Sequence, residues 1–391
     1  MAFGLPAYKN GLKQVAERFR PWVNMASKIY TMKRIISSSI FAFLVLPVIV
    51  AAQGYTIEKV ELGPAFSKEL SISGVAYSQG KLYMAAERPC QDGYRMYEVM
   101  PGNSDGGRKK WIHGLENETL EIEGVTYLDG NWYIISETRV GLFRLQKKDE
   151  VWSAAEINIP NKDELGAMDG EHGLEGIAIN KKSSQLYLLF ERRKNAKTGN
   201  YYSVIYRYTI SWDIASEAIN AITFVDSYHI DLEDEFSRYC DIYYDDGERR
   251  LVCIKSYFKP KDIKKNNRDT GRYSIKGFSM DSIGKIIDPL HPVDLVPVQS
   301  LTDSVSAYCS NNKYSSNLEG ITMDENGSIY LVSDNKLGII NCCADAEKGG
   351  TLLLKLTPVK ANKQPTSEPA KSMTGKERKG RTKGHKPAGD R

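Results

Sequence analysis

The sequence predicts an all-β chain folded as a β-propeller, with five blades countable and room for a sixth. Three observations predict it. A five-residue phrase recurs as Ile122-Glu123-Gly124-Val125-Thr126, Leu174-Glu175-Gly176-Ile177-Ala178 and Leu318-Glu319-Gly320-Ile321-Thr322. Each copy is followed by a turn and a second apolar run: Trp132-Tyr133-Ile134-Ile135, Leu186-Tyr187-Leu188-Leu189 and Ile329-Tyr330-Leu331-Val332. Looser copies at Ile72-Ser73-Gly74-Val75-Ala76 and Tyr239-Cys240-Asp241-Ile242-Tyr243 space the series at about fifty residues, lengthening late, which is the period of a four-stranded blade.

Taken in order, residues 1–52 stand apart from the rest. Met32-Lys33-Arg34 precedes an almost wholly apolar run from Ile35 to Val50, and Val50-Ala51-Ala52 offers small residues before Gln53. That is the pattern of a secretory signal, placing the domain in the periplasm or outside the cell. The alternative is an uncleaved N-terminal membrane anchor, weakened by Pro47 and serines 37–39. Residues 53–359 are long enough for one large all-β domain. The tail, 360–391, holds ten Lys or Arg against three Asp or Glu among Pro, Ser, Thr and Gly, and is expected to be disordered.

Within the body, Tyr55 to Leu62 is an orphan strand. Inner hairpins follow at each phrase, and outer strands at Arg95–Met100 and Lys109–His113, Gly141–Leu145 and Ala154–Ile159, Val204–Ile210 and Ile222–Ile230, and Tyr273–Met280 and Ile286–Leu295. The last blade ends one strand short at Thr351–Leu356. Letting the orphan strand complete it closes the ring and covers an open edge. The long connection from Tyr257 to Asn317 leaves space for a sixth blade.

The chain carries a net +4, of which the tail holds +7 and the first 34 residues +6, so the body is −9. An acidic body excludes a nucleic-acid groove on the folded domain. The cationic tail is solvated or contacts anionic surfaces. A monomer is expected. Of the six cysteines, Cys240 and Cys253 flank a hairpin and are disulfide candidates, directly opposed or diagonal according to register; Cys90, Cys309, Cys342 and Cys343 sit in loops. A zinc site lacks a Cys-x-x-Cys pair or nearby histidines.

First strands of propeller blades line the channel. The ring position therefore reads Ser73, Glu123, Glu175, Cys240, Glu319, and the second strands return Glu87-Arg88, Glu137 with Arg139, Glu191-Arg192, and Asp334-Asn335 to the same mouth. Glu123, Glu175 and Glu319 either hold one calcium ion through hard oxygen donors or accept hydrogen bonds from amides of the adjacent blade. Three carboxylates facing a narrow channel need a cation or protons. Arg88, Arg139 and Arg192 are candidate forks for an anionic or ester-containing ligand, with surface ion pairing as the plainer alternative. Lys255 and Asp241 fall inside aligned phrases, and His172 lies just before the third ring strand, where a general base or metal ligand would stand. No serine occupies a Gly-x-Ser-x-Gly elbow.

At these residues the chain resembles the phytase-like β-propeller family, named for esterase-like activity of phytase. The likeness lies in the order of phrases: Ser73-Gly74-Val75 then Glu87-Arg88; Glu123-Gly124-Val125 then Ser136-Glu137; Glu175-Gly176-Ile177 then Glu191-Arg192; Asp241 then Lys255-Ser256-Tyr257; Asn317-Leu318-Glu319-Gly320 then Val332-Ser333-Asp334-Asn335. The resemblance implies an exported propeller hydrolysing an ester or phosphoester with metal assistance. Ser73 and Cys240 interrupt the acidic ring that clustered calcium ions would need. Two function classes stay open. One is a hydrolase using Glu175, His172 and Asp241 around calcium; the other is a binding propeller whose Glu ring is structural.

Overall fold

The structure is a computed structural model that describes residues 54–62, 72–87, 96–101, 109–112, 120–148, 151–165, 173–257, 272–309, 316–334 and 350–359. The signal-like segment, the tail, Arg88, His172, Asn335, Cys90, Cys342 and Cys343 lie outside the described residues.

The first strand, β1 (Tyr55–Val60), ends a blade instead of starting one. It pairs antiparallel with β20 (Leu353–Pro358), in the sheet completed by β19 (Ile329–Asp334) and the inner strand β18 (Asn317–Met323). This is the ring closure expected from the sequence, with Ile57 packed against the core of the last blade.

Four more four-stranded sheets complete a five-bladed propeller, each running from channel to rim. Blade 1 holds β2 (Ile72–Ser78), β3 (Lys81–Ala86), β4 (Met96–Val99) and β5 (Lys109–Ile112); blade 2 holds β6 (Ile122–Leu128), β7 (Asn131–Ser136), β8 (Gly141–Lys148) and β9 (Val151–Ile157). Blade 3 holds β10 (Leu174–Asn180), β11 (Gln185–Lys194), β12 (Tyr201–Trp212) and β13 (Ile219–Asp231); blade 4 holds β14 (Ser237–Asp245), β15 (Arg250–Tyr257), β16 (Arg272–Ser279) and β17 (Val293–Asp294). Inner strands neighbour one another in ring order, β18 returning to β2.

Turn chemistry sets the inner hairpins. Gln79-Gly80 and Asp129-Gly130 all have positive φ, between 47° and 83°, and link strands paired at Ser78–Lys81 and Leu128–Asn131. Two consecutive left-handed residues match the right-handed twist of a two-residue hairpin.

Blade 4 departs from expectation. The outer strand predicted at Ile286–Leu295 shrinks to the two residues of β17 plus an isolated bridge from Met280 to Ile286. Helix α2 (Val298–Cys309) follows, burying Leu301, Val305 and Cys309 between blades 4 and 5. It comes after the one-turn α1 (Lys162–Leu165). Pro289 and Pro292 interrupt Ile286–Leu295 and remove the backbone donors a rim strand would need, and α2 packs beside β16. No sixth blade occurs among the described residues.

Apolar side chains divide into five buried clusters, one at each blade-to-blade interface. Cys240 and Cys253 belong to different clusters, on opposite faces of blade 4. Both thiols are free, so the disulfide expected across this hairpin is corrected. The cause is register: Ile242 faces Cys253, and a bulge between Tyr239 and Asp241 takes Cys240 out of alternation.

Candidate functional site

The recurring acid sits on a recurring backbone irregularity. In all five inner strands the pairing register slips at the ring position: between Ile72 and Gly74, Ile122 and Gly124, Leu174 and Gly176, Tyr239 and Asp241, and Leu318 and Gly320. The residues left out of the ladder are Ser73, Glu123, Glu175, Cys240 and Glu319. A bulge re-aims its side chain, which is how each blade turns one residue out of its own sheet.

The glycine after each acid has a steric cause. A Cβ on Gly176 would meet the backbone nitrogen of Ile242 in the next blade at 2.7 Å, and one on Gly320 would meet that of Val75 at 3.1 Å. Blade 4 has Asp241 there instead. Its Oδ1 accepts from Ile242 N at 2.7 Å and its Oδ2 from Ile321 N at 2.8 Å, in blade 5. Asp241 is 3% exposed, and burial, opposed by these two amides, raises its pKa well above the usual carboxylate range. Proposed from sequence as catalytic, Asp241 is placed as a staple between blades. Ser73 acts similarly, its hydroxyl donating to the carbonyl of Ile122 in blade 2.

Register also defines the second tier of the mouth. Residues following the inner pair are Glu87, Glu137, Glu191, Ser256 and Asp334, so blade 4 contributes a hydroxyl where the others contribute acids. Glu137 reaches toward blade 3 over Gly173, where a Cβ would meet its Oε1 at 2.9 Å. The carboxyls of Glu123 and Glu175 are pushed well above their ordinary pKa, first by burial, then by acids: Glu87, Glu319, Glu137 and Asp334 act on Glu123, and Glu191, Glu123, Glu319 and Glu137 on Glu175. Neither carboxyl makes a hydrogen bond or ion pair among the described residues.

One cation stands among these acids, and sequence reasoning missed it. Arg238, two residues before Cys240, sends Nη1 to Glu191 Oε1 at 2.5 Å and Nη2 to Asn317 Oδ1 at 2.6 Å and Glu319 Oε1 at 3.0 Å. Its Nε donates to Ser256 Oγ at 3.3 Å, and Ser256 Oγ lies 3.1 Å from Cys240 Sγ. The guanidinium thus ties blades 3, 4 and 5 together. Glu319, raised by burial, is drawn down by Arg238 and by Asn317, whose Nδ2 donates to it at 2.6 Å. Burial pushes the Cys240 thiol up to about 12, so it carries no thiolate. The available signal was alignment: position −2 from the ring reads Ser71, Glu121, Gly173, Arg238, Asn317, with the basic residue in the blade that lacks the ring acid.

The calcium expectation meets this arrangement directly. Glu319 is shared between Arg238 and Asn317, and among the described residues no group of three or more His, Cys, Asp or Glu is arranged to hold a metal ion. The guanidinium supplies the counter-charge at Glu319, one of the three ring glutamates.

The other sequence candidates scatter. Arg139 turns to the outer strands of its own blade, with Nη2 3.4 Å from Glu156 and its guanidinium 5.0 Å from the Phe143 ring centre. Arg192 lies 5.6 Å over Tyr201. Lys255 pairs with Glu233 at 2.5 Å, in the connection that leads into the inner strand of blade 4. Glu87, Glu191 and Asp334 are buried at the mouth, at 4%, 2% and 3% exposure.

The sequence model of the phytase-like family, described as esterase-like activity of phytase, matches residues 105–337. A search of curated proteins returns no match. Among solved structures, a Bacteroides ovatus xyloglucan-locus GH43B is 14% identical with a TM-score of 0.40, covering 70% of this chain; the chain spans half the length of that protein. A PQQ-bound aldose sugar dehydrogenase from Streptomyces coelicolor is 10% identical, with TM-score 0.39 and coverage of 78% of this chain and 99% of that one. A Xanthomonas campestris gluconolactonase is 11% identical, with TM-score 0.37 and coverage of 75% and 87%. With five repeated blades and a family match across most of them, this chain belongs to the phytase-like family.

Proposed function

We propose that the protein is an ester hydrolase working by general acid–base catalysis at the acidic mouth of the propeller. The observation that carries this is the contrast between two sets of carboxyls at one mouth. Glu123 and Glu175 are held toward the protonated form by burial and by neighbouring acids, whereas Glu191 and Glu319 are ion-paired to Arg238. Glu319 is itself raised by burial, but less far than Glu123 and Glu175 because Arg238 and Asn317 oppose the shift, so the mouth offers a more readily ionised carboxyl beside two protonated ones.

In this reading the Glu191 and Glu319 carboxylates, fixed by Arg238, accept a proton from the attacking water as its oxygen bonds to the ester carbonyl carbon. Glu175 gives its proton to the alkoxide oxygen as the carbon–oxygen bond breaks, leaving an acid and an alcohol. Guanidinium N–H groups favour the oxyanion that forms between the two steps. No step passes through a metal ion, and His172 has no assigned part.

The substrate favoured is an uncharged carboxylic ester. Seven acids converge on one described guanidinium, so a phosphoester would meet net repulsion. Export is part of the proposal and rests on the signal-like residues 32–52. The test is hydrolysis of p-nitrophenyl acetate against p-nitrophenyl phosphate by the folded protein. Acetate turnover lost in Glu175→Gln, with melting temperature retained, is expected; absence of turnover in the wild type leaves a binding propeller.

A further inference from the structure

The channel has a second end, and its chemistry is the reverse of the first. Two residues past each bulge, about 7 Å along the strand, the inner strands present Val75, Val125, Ile177, Ile242 and Ile321. These five apolar side chains are 1% to 5% exposed. They form the floor of a cavity of about 600 Å³ that opens away from the acidic mouth.

Its walls are aromatic and its polar groups neutral. Tyr77, Tyr127 and Tyr243 line it, and among the described residues the hydroxyls of Tyr127 and Tyr243 make no hydrogen bond. Charged groups stand at the rim and are already matched. Lys181 Nζ is 2.5 Å from Asp129 and 3.3 Å from Glu217, and Lys182 Nζ is 2.6 Å from Asp246. These pairs join blades 2, 3 and 4 across the opening, leaving the interior without a free charge for a charged ligand to meet.

We propose that this cavity is a binding site for an uncharged small molecule with a flat aromatic or alicyclic body and one hydrogen-bonding group. A blind apolar pocket of this volume with a few convergent polar atoms has the make-up of a small-molecule site. The ligand's body covers the aliphatic floor and the tyrosine faces, and its polar group meets Tyr127 or Tyr243. The site is independent of the acidic mouth, because the apolar floor separates the two.

The test uses N-phenylnaphthylamine, an uncharged fluorescent aromatic probe, with the full-length protein. Saturable emission enhancement at one probe per chain is expected. Thr126→Trp, which fills the cavity, and Leu128→Lys, which places a charge at its edge, should each weaken binding about tenfold or more. Glu175→Gln, at the other mouth, should leave it unchanged. Leu128→Lys serves alone if circular dichroism shows that Thr126→Trp does not fold. Non-saturable emission, affinity unaltered by the cavity variants, or equally tight binding of the anionic anilinonaphthalene sulfonate would overturn the proposal. None of these readouts depends on ester turnover.

Discussion

Nη1 of Arg238 stands 2.5 Å from Oε1 of Glu191, joining blade 4 to blade 3 at the mouth of the channel. The same guanidinium reaches Glu319 in blade 5. In a ring where each blade tends to contribute an acid, the blade that omits one contributes the counter-charge, so electroneutrality is partly built into the covalent chain.

Removing that charge should therefore destabilise the protein by more than a surface pair would. Breaking a largely buried pair leaves partner carboxylates uncompensated, at a cost of about 3 kcal/mol. Arg238→Gln should lower the melting temperature, and adding Glu191→Gln and Glu319→Gln should restore part of the loss. Additive losses in denaturant melts of the combined variant would show that the pairing contributes nothing.

Calcium should distinguish the wild type from the same variant. With Arg238 in place, millimolar-range calcium should leave the melting temperature unchanged, whereas Arg238→Gln, its acids freed, should gain stability on titration by ligand linkage. A calcium shift in the wild type, traced to Glu123 or Glu175 by substitution with Gln, would instead assign a metal to the ring.

Stability should fall as pH rises above the ordinary glutamate value of about 4.5. Glu123 and Glu175 have native pKa values raised above their unfolded ones, so in the window between the two values the native state binds more protons. Stability then has a negative slope with pH, and the contribution is complete only below the unfolded value. Glu123→Gln cannot ionise and should flatten that slope in melts taken across the window. An identical slope in the variant would remove Glu123 from the titration.

Gly176→Ala should cost about 2 kcal/mol, within the range for overpacking a core. Its new methyl would meet Ile242 N at 2.7 Å and Asp241 Oδ1 at 2.8 Å, whereas a Cβ on Gly247 meets nothing nearer than Asp245 Oδ1 at 3.4 Å. Gly247→Ala is the control, and chemical denaturation of both variants makes the comparison.

Deleting residues 53–62 should leave an unstable, aggregation-prone protein. β1 pairs with β20 along six residues, and its loss would expose that strand as an open edge. An unchanged melting temperature would mean that the ring does not need this closure.

The sequence by itself determined the architecture. Period, turn residues and the alternation of large side chains are local properties, each copy repeating the same short-range constraints, so five blades and the orphan strand closing the last were legible. Blade 4 escaped where the local pattern weakened: the rim strand expected at Ile286–Leu295 shortened to β17, and α2 follows it with a buried face recognised only by the clefts of blades 4 and 5. The site was legible as far as the ring position and its acids. Tertiary structure alone decided what each ring residue does, because the shared guanidinium joins residues 47 to 81 positions apart in the chain and the blade-to-blade approach is likewise non-local. It put Arg238 among the acids, made Asp241 a staple, and set Cys240 and Cys253 on opposite faces of one sheet. Pairwise electrostatics and register depend on where chains meet, which repetition in the sequence does not encode.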